Sequence, residues 1–300
     1  MYQAKRLFHS EFIPIRNLSY HVRCWGRPTP TKKILFMLHG WMDISASYQF
    51  VVDELSEDFY IVAPDWRGFG LTEVKGIDNF WFPDYLADLD FLIDHYSPGE
   101  SVNLLGHSMG GNVAMLYSGI RSEKINRLIN LEGFGMPSNN PSQAPERYGS
   151  WIDELKKLHQ GKLSLRVYQS QKEVAERLIK TNPRLSKDKA LWLAQHWGIQ
   201  TSEDQWAILG HPAHKVPSAN LSKVEETLAC YELITAPVLM VEATDNSMSK
   251  WWKNRYELPE FHERIKVISN LTQVMVENAG HMLHHDQPAV LANHIERFLT

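Results

Sequence analysis

Residues 104–111 read LLGHSMGG, a serine set between glycines at the end of an apolar run. Ser108 is the centre of Gly106-His107-Ser108-Met109-Gly110, a G-x-S-x-G pattern. A serine hydroxyl is a weak nucleophile near neutrality and needs an adjacent base and an exposed oxygen. Glycines two before and two after keep side chains out of a tight strand-to-helix turn. The serine can then take a strained backbone geometry and project its Oγ. The competing reading is a turn serine bonded to its own backbone. The flanks decide between them, because SVNLLGHS (101–108) has the character of a strand and GNVAMLYSGIRS (111–122) that of a helix. Ser108 is therefore the candidate nucleophile.

Further apolar runs frame this turn: KILFMLHG (33–40), FYIVAPDWRGFG (59–70), RLINLEG (127–133), PVLMVEA (237–243) and TQVMVENAG (272–280). Each is continuously apolar rather than alternating, as in strands of a parallel sheet covered on both faces. DYLADLDFLIDHY (84–96) carries apolar residues at helical spacing. Alternating strand and helix patterns predict an α/β fold with a mostly parallel central sheet flanked by helices. FIPIRNLSYHVRCWG (12–26) is more alternating and predicts an antiparallel opening pair. From 135 to 232 the strand rhythm stops, and helical patterns follow a Pro-, Ser- and Asn-rich loop. The expected division is a core of 1–134 and 233–300 with a helical cap of 135–232. The cap carries Tyr148, Trp151, Tyr168, Trp192, Trp197 and Trp206. These either fill the cap's own core or line a cleft against the sheet.

Composition narrows the function classes. The 300 residues carry a formal charge of −4 and show no basic stripe, which argues against a nucleic-acid partner. No apolar stretch is long enough to span a bilayer, and the N-terminus has no secretory leader pattern. A cytoplasmic protein with two buried free thiols, Cys24 and Cys230, is expected. Neither cysteine has CxxC spacing, and none of the 14 histidines has the spacing of a metal motif such as HExxH. No metal or organic cofactor is expected.

Acyl transfer builds charge on a carbonyl oxygen, which two aimed backbone N–H groups stabilise. The expected donors are Met109, after the nucleophile, and Trp41, after the turn at His39-Gly40. His39 is expected to hold that loop by hydrogen bonds. The base is expected late in the chain, beyond the last strand. His281 follows VMVENAG directly and precedes the helix-like QPAVLANHIERFL. His284 is the next candidate.

In order, HGW, DWRGFGLT, GHSMGG, a helical insertion and GHMLHHDQP resemble a lid-bearing member of the α/β-hydrolase superfamily. The stretches SQKEVAERL, NPRLSKDKALWLAQHW and HPAHK resemble the branch called serine hydrolase-like. That resemblance implies a carboxylate partner for His281 and offers two. In most of the superfamily the acid follows the strand that here is PVLMVEA, which points to Asp245, one residue before the usual place, held by Asn246. In some haloalkane dehalogenases the acid ends the preceding strand, which points to Glu132 in LEGFGMP. A carboxylate inside an apolar run needs a partner to offset its desolvation, which favours Glu132. The DWRGFG stretch is a structural turn in this superfamily and is assigned no chemistry. The related dehalogenases and epoxide hydrolases attack with aspartate, whereas this turn holds serine.

The expected function is a serine hydrolase acting on a small to medium carboxylic ester with an apolar portion, as a monomer or homodimer. Rival readings are a carbon–carbon bond hydrolase, a lactonase or an amidase on the same scaffold, or a small-molecule receptor that retains the pocket.

Overall fold

In the computed structural model, which describes residues 2–202, 205–246, 248–253 and 255–300, the apolar runs become strands of an eight-stranded sheet, five of them internal. TQVMVENAG differs from expectation: it forms the edge strand and is exposed or half-exposed over most of its length, because no further strand or full helix layer covers it. In chain order the strands are β1 (Phe8–Ile15), β2 (Leu18–Trp25), β3 (Lys33–Leu38), β4 (Phe59–Pro64), β5 (Val102–His107) and β6 (Ile125–Leu131). After them come β7 (Val167–Tyr168), β8 (Gly198–Ser202), β9 (Gln205–Ile208), β10 (Val238–Asp245) and β11 (Leu271–Gly280). The large sheet has the order β1-β2-β4-β3-β5-β6-β10-β11. β1 pairs antiparallel with β2, as the alternating opening predicts, and β2 with β4; all later pairs are parallel.

The continuous apolarity of the central strands has a direct cause: successive residues point to opposite faces, and both faces are covered. Phe36, Leu38, Val62, Leu104, Leu128, Val238 and Met240 belong to one core. The helices Phe82–Tyr96 and Met109–Ile120 cover it through Leu89, Leu92, Val113 and Tyr117. The intervening residues Leu35, Met37, Ile61, Leu105, Ile129, Leu239 and Val241 belong to the other core, under the helix Pro288–Leu299 with Leu291 and Ile295.

Between β6 and β10 the expected helices form at Ala144–His159, Gln171–Thr181 and Lys187–Trp197, with a fourth at Val224–Tyr231. The segment also contains a small antiparallel sheet, β7-β9-β8, that the sequence did not announce. β8 is GIQTS, exposed beyond its glycine, so it carries no apolar run to read. Tyr168, Val174, Leu178, Ala190 and Leu193 pack with Ile44, Ala46 and Phe50 of the core region in a third cluster. Trp192, Trp197 and Trp206 are partly buried against it, while Tyr148 stands exposed. Arg184 pairs with Asp245, and Asn182 Nδ2 donates to Asp286 Oδ1 at 2.7 Å, tying the segment to the end of β10 and to the short helix Leu283–Asp286 that follows β11. Both cysteines are free thiols. Cys24 is buried, but Cys230 is only half-buried, because its helix turns Tyr231 inward instead.

The DWRGFG turn is held by a buried carboxylate. Asp65 Oδ1 accepts from Ser45 N at 2.7 Å, and Oδ2 accepts from Leu71 N at 2.9 Å and His21 Nδ1 at 2.7 Å. Gly70 has φ +54°, and a Cβ there would lie 2.0 Å from Asp65 Oδ2, so glycine is required. Arg67 makes a two-pronged pair with Asp88, Nε to Oδ2 at 2.6 Å and NH2 to Oδ1 at 2.7 Å. Burial alone would raise the Asp65 carboxyl, but His21 and the N–H donors outweigh it and hold it below the ordinary carboxylate range. A carboxyl lowered on folding stabilises the protein above its unfolded value, and the contribution is lost as pH falls through and below about 4. Asp65→Ala is expected to cost about 3–5 kcal/mol at pH 7 by stranding three donors. Urea unfolding at pH 7 and pH 3 checks this: the gap between wild type and variant should narrow at the lower pH.

Candidate active site

Strand β5 ends in a sharp turn at Ser108, whose φ of 51° and ψ of −113° are unusual for a residue with a side chain. The flanking glycines make this possible. A Cβ on Gly106 would lie 2.2 Å from Gly110 O, and one on Gly110 would lie 2.1 Å from Leu38 O. Ser108 N donates to Leu131 O at 2.8 Å, and Asn112 N donates back to Ser108 O at 2.9 Å, so strand and helix both clamp the turn. Met109 opens the helix Met109–Ile120, and the N–H at a helix start has no acceptor in its own helix.

The loop after β3 runs directly against this turn. A Cβ on Gly40 would come within 3.3 Å of Ser108 Cβ. His39 is buried, with Nδ1 donating to Gly40 O at 2.8 Å and Nε2 accepting from Trp66 N at 2.9 Å. Trp66 Nε1 donates to His39 O at 3.0 Å. The loop is thus held by hydrogen bonds to both ring nitrogens of His39, as expected. Burial lowers the His39 pKa and keeps the ring neutral. Trp41 follows and is 55% exposed as a residue.

The third piece is the loop after β11. His281 Nδ1 lies 3.3 Å from Glu132 Oε2. The other oxygen of Glu132 accepts from Ala243 N at 2.7 Å. Glu132 is the first residue past β6, 1% exposed, with φ 56° and its N–H donating to Val241 O at 3.1 Å. Burial pushes its carboxyl up to about 8, against the Ala243 N–H, which favours the anion. Burial also pulls His281 down to about 3, with His284 adding to the effect. Desolvation therefore favours the uncharged form of each group in the resting pair. His107 Nε2 donates to His281 O at 2.7 Å, joining the histidine loop to the residue before Ser108. Among the described residues the Ser108 hydroxyl makes no hydrogen bond, so the link between the Ser108 and His281 loops runs through His107. Catalytic hydrogen bonds are often long before substrate binds.

Asp245 stands elsewhere. Its side chain is 61% exposed and pairs with Arg184 from the segment between β6 and β10. His284 is fully buried behind His281, with Nε2 3.9 Å from Asp43 Oδ2. Sequence reasoning missed Trp251, a residue 45% exposed whose ring meets the His281 ring edge-on at 4.0 Å. It lies beyond β10 in a short helix, with no motif to mark it.

Comparison with known proteins agrees with this architecture. The chain is 26% identical to a serine hydrolase-like protein of Danio rerio, over 97% of this chain and 88% of that one. It is also 26% identical to a 3-hydroxybutyrate-oligomer hydrolase of Cupriavidus necator, over 93% and 91% of the two chains. The thioesterase domain from the curacin biosynthetic pathway shares the fold, with a TM-score of 0.81 at 21% identity and coverage of 97% and 99%. No helix among the described residues is long and apolar enough to cross a membrane. The sequence profile described as the alpha/beta hydrolase fold matches residues 33–288, and the chain belongs to that family.

Proposed function

We propose that the protein is a serine hydrolase that cleaves carboxylic esters through an acyl-serine intermediate. The observation that carries this reading is the contact between His281 Nδ1 and the buried Glu132, beside a strained serine turn. An ionised Glu132 accepting Nδ1–H leaves the lone pair on His281 Nε2, the atom that must take the Ser108 proton. Ser108 Oγ then bonds to the ester carbonyl carbon, and the N–H groups of Met109 and Trp41 stabilise the oxyanion. The resulting imidazolium is stabilised by Glu132 and hands its proton to the leaving alcohol. Water deacylates the serine by the same route, and His281 returns to neutral.

The segment 135–232 serves as a cap over this end of the sheet, pinned by Arg184 and Asn182. Two exposed indoles flank the chemistry: Trp41 next to the Ser108 contact and Trp251 against His281. They favour a substrate with an apolar portion, since indole faces gain from covering apolar surface. Hydrolysis of p-nitrophenyl acetate, butyrate and octanoate, set beside p-nitroanilides, lactones, β-diketones and 3-hydroxybutyrate oligomers, tests the reading. Turnover of butyrate or octanoate esters above acetate is expected. A folded protein that turns over none of the esters, or that cleaves only amides or β-diketones, contradicts it.

A further inference from the structure

Beneath the serine turn lies a buried group of side chains that the proposed reaction does not use. Asp43 comes from the loop after β3, His107 from the end of β5, and His284 from the loop after β11. One ligand atom from each, a carboxylate oxygen and two ring nitrogens, lies within 4.8 Å of the others, and all three residues are buried. Asp43 Oδ1 is occupied, accepting from Ser47 Oγ at 2.6 Å and Trp197 Nε1 at 3.2 Å. Asp43 Oδ2, His107 Nδ1 and both nitrogens of His284 are buried with no hydrogen-bond partner among the described residues. Leaving such groups unpaired costs about 1–3 kcal/mol each, so the convergence of Asp43 Oδ2, His107 Nδ1 and one His284 nitrogen calls for a shared partner.

The geometry favours a cation. His107 Nε2 donates to His281 O, which fixes the proton on Nε2 and leaves the Nδ1 lone pair facing the cluster. A metal-bound histidine typically shows this arrangement, its second nitrogen donating to a backbone carbonyl. His284 Nε2 and Asp43 Oδ2 are 3.9 Å apart. That is too far for a hydrogen bond and near the roughly 3.4 Å between two ligands of a tetrahedral ion with bonds of about 2.0–2.2 Å. Two imidazoles and one carboxylate suit a borderline divalent ion such as zinc. We propose that Asp43, His107 and His284 hold one buried Zn²⁺ ion, with a water as its fourth ligand. The ion would tie together the three loops that carry Trp41, Ser108 and His281. The three ligands lie far apart in the chain, so no local spacing motif marks them.

Zinc content of the full chain, expressed with added zinc and washed with a weak chelator, tests the proposal. Wild type should retain about one equivalent, and His284→Gln and Asp43→Asn should lose it at least about tenfold while keeping a native circular dichroism spectrum. His9→Ala, at the separate group of exposed His9, half-buried Glu11 and buried Cys24, should retain it. Removing the ion with a strong chelator should lower the wild-type Tm by at least about 3 °C and leave that of His284→Gln unmoved. Should the buried variants fail to fold, cobalt replacement in wild type still decides: tetrahedral ligand-field bands without a thiolate charge-transfer band are expected. Less than about a tenth of an equivalent in wild type, loss of the ion in His9→Ala, retention in His284→Gln, or a thiolate band overturns the proposal.

Discussion

Ser108→Ala should lower kcat for ester hydrolysis about 10⁶-fold, the largest effect expected of any single change. The residual rate would come from the oxyanion donors and the binding cleft, which the substitution leaves in place. Stability should barely move. The Ser108 side chain makes no hydrogen bond among the described residues, and alanine keeps the Cβ that the turn already accommodates at φ 51°. Steady-state kinetics and a thermal melt on the same preparation check the pair of outcomes. A near-normal rate in the alanine variant would move the nucleophile elsewhere.

Glu132→Gln should lower kcat/KM about 10⁴-fold, and the reason is directional. Ala243 N donates to Oε1, so a glutamine at this site must keep its amide oxygen toward Ala243. Its NH₂ then faces His281 Nδ1, which can only accept. The ring proton is forced onto Nε2, where it blocks the base. Asp245→Asn breaks only an exposed pair with Arg184, and its rate should stay within about twofold of wild type. Because burial pushes Glu132 up to about 8, the ionised form gains as pH rises, and wild-type kcat/KM should climb toward that value. The limb belongs to the coupled Glu132–His281 pair and should vanish in Glu132→Gln. A pH–rate profile of both variants reads the two effects together.

Much of this was legible in the residues. β3 to β6 and β10 announced themselves because both faces of the sheet are buried there, which removes polar residues from alternate positions, whereas the edge strand β11 keeps exposed polar residues and was read only from its apolar middle. Gly106 and Gly110 marked the turn because backbone oxygens occupy the space of their missing Cβ atoms. Other features depend on the assembled fold. Glu132 and Asp245 each end a strand, and the difference between them is set by the β6–β10 register and by Arg184, a residue about 60 positions from Asp245 in the chain. β8 was hidden because Gln200, Thr201 and Ser202 are exposed and polar. The cluster of Asp43, His107 and His284 gathers three distant loops, and Trp251 meets His281 only once β10 and β11 are paired.

The central claim is that Ser108 is activated by His281. Reaction with a fluorophosphonate followed by peptide mapping tests it most directly. A single covalent adduct is predicted on the peptide holding Ser108, lost when His281 is replaced by alanine. A correctly folded protein that takes up no label, or labels elsewhere with Ser108 unmodified, would contradict it.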